Sequence, residues 1–334
     1  MKKFFAIFLA LLLLLSMTMT ASAAKKIKIS VPDSSTSYIC VAAQEFARRA
    51  SEYSEGSLEF EVVPDGILYE GDTAYGIQQL SNGSIPIVIL SSAIYTFFVP
   101  GFNVISVPYM FDDQEQLLEY LHSDIATELF NRVNLMGITV VGKWTRSFRE
   151  ITNSKHPIRN PSDLQGIVLR VPNNALYVEF FTACGAVTTP MDFSKVYDSL
   201  KNEYLDGQEN PLDVPYSSKF YEVQKYISFT NHMADAWVVG INTKFFKKLS
   251  KKEQFAIERA GDEVQEWNVK MMEEQDKIAL QTLLDNGMEA NEISRLSQKE
   301  FIEISKSCYE KFKQLIRDDK LFEDTAKFTG RTAN

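Results

Sequence analysis

Arg170 follows Ile167-Val168-Leu169 and precedes Val171-Pro172, so a cation closes a short apolar run. Burying such a charge unpaired is costly, which points to an anionic partner. Arg149, in Ser147-Phe148-Arg149-Glu150, sits after another β-like run. A guanidinium grips a carboxylate through two parallel hydrogen bonds, so two arginines at strand ends suit an organic acid. The structural alternative is an ion pair for each, Arg149 with Glu150. Asp206-Gly207-Gln208-Glu209-Asn210-Pro211 follows Leu205 at a further strand end. Its side-chain amides donate and accept, which suits a carboxylate with neighbouring hydroxyls, although an isolated string of this kind more often reads as a turn. Phe193, Trp144, Tyr216 and Trp237 lie near the same edges and either wall a ligand or fill the core.

Reactive sets are missing. The sequence holds no G-x-S-x-G, no H-E-x-x-H, no P-loop and no glycine-rich dinucleotide fingerprint. Cys40, Cys184 and Cys308 are scattered and odd in number, and read as buried small hydrophobes. His122, His156 and His232 are too dispersed for a metal cluster. Neither an enzymatic activity nor a cofactor is expected.

The elements that must position these residues alternate. Lys26 to Val31, Leu58 to Val63, Ile85 to Leu90 and Ile138 to Val141 read as strands. Helical spacing separates them, over Ile39 to Tyr53, around Tyr75 to Leu80, and through Gln114 to His122 and Ile125 to Leu135. The rhythm recurs in Gly166 to Val171, Asn174 to Cys184, Phe193 to Lys201 and Leu205 to Gln208. Such βαβ order predicts sheets that are mixed but mainly parallel and flanked by helices. After the β-like Trp237 to Asn242, Lys251 to Asn286 has one Gly and no Pro, and stops at Asn286-Gly287. A helix that long extends beyond one lobe.

Phe4 to Met17 is an uncharged run behind Lys2 and Lys3, leading to Ala21-Ser22-Ala23-Ala24. This predicts a cleaved secretory signal over residues 1–24, too short to span a bilayer and without a lipoprotein cysteine. Its removal takes two lysines from the 334-residue chain and moves the formal charge from −9 to −11. A chain that acidic repels nucleic acid. The remaining length exceeds what one core organises, so two lobes are expected: lobe I over 25–145 with a return segment at 233–270, lobe II over 146–232, and a helical part over 251–334 packing across both.

Several strings combine into a resemblance. Phe148-Arg149 with Ile151-Thr152-Asn153-Ser154-Lys155, Pro161-Ser162-Asp163-Leu164-Gln165-Gly166, Leu169-Arg170-Val171-Pro172, Thr189-Pro190-Met191, Asp206 to Pro211, and Lys219 to Tyr226 with Thr230-Asn231-His232 closely resemble the solute-binding proteins of TRAP transporters, the DctP family. The resemblance implies an α/β fold of two lobes, a ligand cleft between them and a long helix spanning both. It further implies a monomeric periplasmic protein that captures an organic acid and delivers it to the TRAP membrane permease subunits. Arg170 falls on the family's carboxylate-clamping arginine, Arg149 on its second cleft arginine, Asn210 on the asparagine that completes the clamp and Phe193 on an aromatic against the ligand.

The first lobe departs from the family pattern, with Pro32-Asp33-Ser34-Ser35-Thr36-Ser37-Tyr38 after the opening strand and Leu68-Tyr69-Glu70-Gly71-Asp72 further on. Asp33, Ser34, Glu70, Asp72 and Gln208 could supply partners for hydroxyls, which favours a hexuronate-like sugar acid. An aromatic or indolic carboxylate is the competitor, with Tyr38, Tyr69, Tyr95, Trp144, Tyr177 or Trp237 to stack on its ring. A C4-dicarboxylate fits less well, because no spare basic residue stands out for a second carboxylate. Outside this class, a secreted two-lobed hydrolase lacks its reactive set, and a binding module reporting to a membrane sensor differs only in partner.

Overall fold

The computed structural model describes residues 23–331, so the expected signal segment lies outside them save for its last two residues. In chain order the strands are β1 (Lys25–Ser30), β2 (Leu58–Val63), β3 (Ile87–Ser91), β4 (Ile138–Arg146), β5 (Glu150–Asn153), β6 (Val168–Val171), β7 (Val187–Pro190), β8 (Gly207–Asn210), β9 (Tyr226–Phe229), β10 (Asp235–Asn242) and β11 (Glu289–Glu292). They form a five-stranded sheet, β2-β1-β3-β10-β4, and a six-stranded sheet, β11-β9-β5-β8-β6-β7. In the first, β1 runs parallel to β2 and β3, while β10 is antiparallel to β3 and β4. In the second, β6 is parallel to β7 and β8, and β5 is antiparallel to β8 and β9.

Sequence explains the placement. β3 is Ile-Val-Ile-Leu-Ser with every residue buried, as a central strand covered on both faces requires. The helix Tyr38–Tyr53 starts at Ser37, whose hydroxyl accepts from the Cys40 amide, and buries Ile39, Ala42, Ala43, Phe46 and Ala50. The helix Thr73–Asn82 starts at Asp72 and ends on Gly83 at φ 87°, a left-handed cap that glycine adopts without Cβ strain. The chain passes from the first sheet to the second between Arg146 and Glu150, and returns between Phe229 and Asp235.

The helix Lys251–Asp285 opens on a capping box of Ser250 and Glu253. Its 35 residues make it about 50 Å long. Ile257, Ala260 and Val264 pack on the first sheet's core, whereas Met271, Met272, Ala279 and Leu283 face a zone shared with Leu212 and Tyr216. Gly261 permits the closest approach, since a Cβ there would stand 1.6 Å from the Val141 carbonyl oxygen. The tail beyond is not wholly helical: β11 pairs in parallel with β9, Glu289 beside Tyr226, before the helices Arg295–Ser307, Tyr309–Ile316 and Asp319–Phe328. No described helix is long and apolar enough to cross a membrane.

Candidate functional site

Strand direction brings the polar residues together. Because β6 and β8 are parallel, with Arg170 beside Gln208, the ends carrying Arg170 and Asn210 emerge on one edge. β5 is antiparallel to β8 with Glu150 opposite Asn210, so Arg149, just before β5, joins them. In the first sheet the antiparallel pair β4 and β10 sets Arg146 opposite Asp235, and β10 sets Trp237 opposite Ser91. Arg149, Arg170, Asn210 and Phe193 thus face Asp33, Thr73, Ser91, Arg146 and Trp237 across a cavity of about 460 Å³, its mouth included. This is where open α/β sheets place ligands, beyond strand ends. A second hollow shares Pro32, Thr73 and Phe193, and adds Ser34, Asp65, Ser194 and Ser218. The two walls touch: Ser34 Oγ donates to the Ser217 carbonyl at 3.4 Å, and Asn174 Nδ2 to the Ala93 carbonyl at 3.2 Å.

Arg149 is held rigidly. Its Nε donates to Glu209 Oε2 at 2.5 Å, and its Nη2 to Glu209 Oε1 at 2.9 Å, the Glu209 carbonyl at 2.8 Å and Asn210 Oδ1 at 3.0 Å. Its counter-ion is therefore Glu209 and not Glu150, whose carboxylate instead accepts from the Thr230 and Asn231 amides. Burial alone would push the Glu209 carboxyl up, yet Arg149 and His232 hold it below the usual range. Burial keeps His232 below its ordinary value and hence neutral, with Nε2 donating to Glu209 at 3.2 Å and Nδ1 accepting from the Thr230 hydroxyl at 2.8 Å. With Oδ1 of Asn210 claimed by Arg149, its Nδ2 donates one hydrogen to Gln208 Oε1 at 2.7 Å and has the other to offer.

Arg170 is different. It is only 4% exposed, and its Nε and Nη2 both donate to the Met191 carbonyl, at 3.1 and 2.7 Å. Among the described residues no carboxylate lies within ion-pair distance of it. Burial pulls its pKa down to about 10, opposed by the more distant Glu209. Its guanidinium stands 6.0 Å from the centre of the Phe193 ring. A third guanidinium, Arg146, completes the wall: it stacks 4.3 Å from the Trp237 ring centre and pairs with Asp235 at 3.0 Å. No group of three or more His, Cys, Asp or Glu among the described residues is arranged to hold a metal ion.

The family model for bacterial extracellular solute-binding protein, family 7 (DctP), matches residues 29–315. The chain belongs to this family. It is 30% identical over 268 residues, 80% of each chain, to the 2,3-diketo-L-gulonate-binding periplasmic protein YiaO of Escherichia coli, and 30% identical over 260 residues to the C4-dicarboxylate-binding protein DctB of Bacillus subtilis, covering 78% and 73% of the two chains. The sugar acid binding protein DctPAm of Advenella mimigardefordensis, solved with galactonate, superposes with a TM-score of 0.88 at 28% identity, over 93% of this chain and 99% of that one. The two-lobed α/β fold and the membership in the TRAP solute-binding family expected from the sequence both hold. Proteins of this family bind solutes rather than turn them over.

Within this family-7 protein the sequence-derived candidates separate. Arg170, Arg149, Asn210, Phe193 and Trp237 line the main cavity, and Ser34 lines the second hollow. Trp144 does not reach either: its indole is fully buried, edge-on to Phe46 at 5.9 Å, with Nε1 donating to the Gly261 carbonyl at 2.8 Å. Tyr38 and Tyr216 pack near the long helix with Met271 and Met272 instead. Gln208 is fully buried one step behind the cavity, where it orients Asn210 and donates to Thr152 Oγ1 at 2.9 Å. Asp72 spends its carboxylate on the Tyr75 amide at 3.0 Å as a helix cap, and Glu70 takes a left-handed backbone at φ 56° on the exposed side, so their neighbours Gly71 and Thr73 do the lining. The string Gly207–Asn210 is a strand and not a turn. Arg146, Thr73, Ser91 and Glu209 carried no signal on their own; Arg146 was hidden because β4 extends five residues past the apolar run Ile138 to Val141.

Proposed function

We propose that this protein captures a sugar acid of the hexuronate type in the cleft and delivers it to the membrane permease of a TRAP transporter. Arg170 anchors the acid's carboxylate, the free hydrogen of Asn210 Nδ2 completes the grip, and Arg149 holds Asn210 in place. The observation that carries this reading is the buried Arg170 guanidinium with no carboxylate partner among the described residues. An anion that brings its own charge satisfies it. The hydroxylated rest of the ligand extends toward Thr73, Ser34, Ser194 and Ser218. Closure follows because only the closed state lets both walls touch the ligand.

Support for an aromatic acid is weaker: of its six candidate rings Tyr38, Tyr95, Trp144 and Tyr177 line neither hollow, Trp237 is already covered by Arg146, and Tyr69 alone lines the second hollow, among hydroxyls. Arg146 is the basic residue that a dicarboxylate would need, but Asp235 already compensates it. Calorimetry with galacturonate, galactonate, indole-3-acetate and succinate, on wild type and Arg170→Ala, tests the reading. We expect tightest binding of a sugar acid by wild type and at least a hundredfold loss in the variant. Unchanged affinity in the folded variant overturns the anchor.

A further inference from the structure

Two ionisable groups that line the main cavity are buried without an ion-pair partner among the described residues. One is Arg170. The other is Asp33, 4% exposed, whose Oδ2 makes no hydrogen bond with any described residue. It stands in no ion pair, although Arg146 and Arg149 are near enough to influence it. Its backbone is fixed, since the Asp33 carbonyl accepts from the Asp65 amide at 2.9 Å. The two carboxylates that hold the cavity's other arginines are engaged: Glu209 by Arg149 and His232, and Asp235 by Arg146, Ser91, Ser92 and the Ala236 amide. A buried carboxyl without a donor is expensive, and Asp33 sits at the junction with the hydroxyl-lined hollow, next to the shared residue Pro32.

We propose that Asp33 determines which acids enter: it takes a hydroxyl of the ligand as donor and turns away a second carboxylate, so the cleft selects hydroxylated monocarboxylates over dicarboxylates. The inference rests on the anionic-ligand reading above and adds to it the pole opposite Arg170. A second carboxylate placed against Asp33 meets either a like charge or a carboxyl whose donor must first be supplied by a proton. A ligand ammonium offers a donor as well, and the hydroxyl is preferred because Thr73, Ser34, Ser194 and Ser218 continue the wall with partners for further hydroxyls.

The test is calorimetry of wild type, Asp33→Asn and Asp33→Leu with galacturonate, galactonate, succinate and serine, with circular dichroism to verify the fold. Wild type is expected to bind one of the sugar acids at least tenfold tighter than succinate. Asp33→Leu is expected to lose at least tenfold toward the sugar acid while keeping or improving succinate, and Asp33→Asn to narrow the ratio by relieving repulsion alone. A sugar acid to succinate ratio that stays within twofold of wild type in both variants overturns the proposal, as does preference for serine over both sugar acids. Should wild type bind none of the acids, the functional reading itself falls, whereas acid binding insensitive to Asp33 refutes only its role as selector.

Discussion

Two arginines that line the same cavity are expected to have opposite effects on the empty protein. Arg170 is charged, buried and without a counter-ion, with its pKa drawn well below its ordinary value, to about 10. At 1.36 kcal/mol per pH unit, holding that charge in the empty cleft costs on the order of 3 kcal/mol. Replacing it with methionine removes the cost and forfeits two hydrogen bonds to the Met191 carbonyl, a loss of roughly 1–3 kcal/mol. The apo Arg170→Met variant should therefore melt at or slightly above wild type. Arg149→Met leaves Glu209, fully buried, without its cation and Asn210 without its donor, which costs about 3–5 kcal/mol. For a chain of this length that lowers the melting temperature by roughly 5–8 °C. Differential scanning calorimetry of both variants without ligand measures this directly. If Arg170→Met melts as far below wild type as Arg149→Met, the guanidinium is a structural pillar and the argument from its missing counter-ion fails.

Burial pushes Asp213 up to about 7 and Asp276 up to about 6. The folded state then holds more protons than the unfolded one between about pH 4 and 7, so stability should fall as pH rises through that window, and Asp213→Asn should flatten the fall in a melting-temperature series. Gly261→Ala forces a methyl to within 1.6 Å of the Val141 carbonyl oxygen; we expect a loss of at least about 3 kcal/mol in urea denaturation.

Periodicity was a good guide to the elements. The long helix, expected over Lys251 to Asn286, spans Lys251–Asp285, because its caps and its lack of proline are local properties. Gly207–Asn210 shows the opposite case: Gly, Gln, Glu and Asn have poor strand propensity, and the segment is extended because β5 and β6 bond it on both sides. The site was legible where a charge interrupts an apolar strand, as at Arg170. Trp144 and Arg146 are two residues apart on one strand, yet one is sealed under the long helix and the other lines the cleft; that difference depends on where the neighbouring elements end, which no local pattern encodes. The distinction between a paired and an unpaired arginine was equally beyond the sequence, since Glu209 lies sixty residues from Arg149 and arrives by strand pairing.

The chain of hydrogen bonds from Gln224 through Thr152, Gln208, Asn210, Arg149 and Glu209 to His232 bears on how this protein can diverge. Every link in it is buried, so a change at one position disturbs several others, and the half of the cleft that it supports is resistant to drift. In the opposite wall Arg146 and Ser91 share Asp235, whereas Pro32 and Asp33 on a connecting segment and Thr73 at the start of a helix stand outside that network, where side chains can be exchanged singly. New ligand preferences in descendants of this gene, or in sensors engineered from it, are accordingly reached by altering that wall alone while the grip on the carboxylate is inherited unchanged.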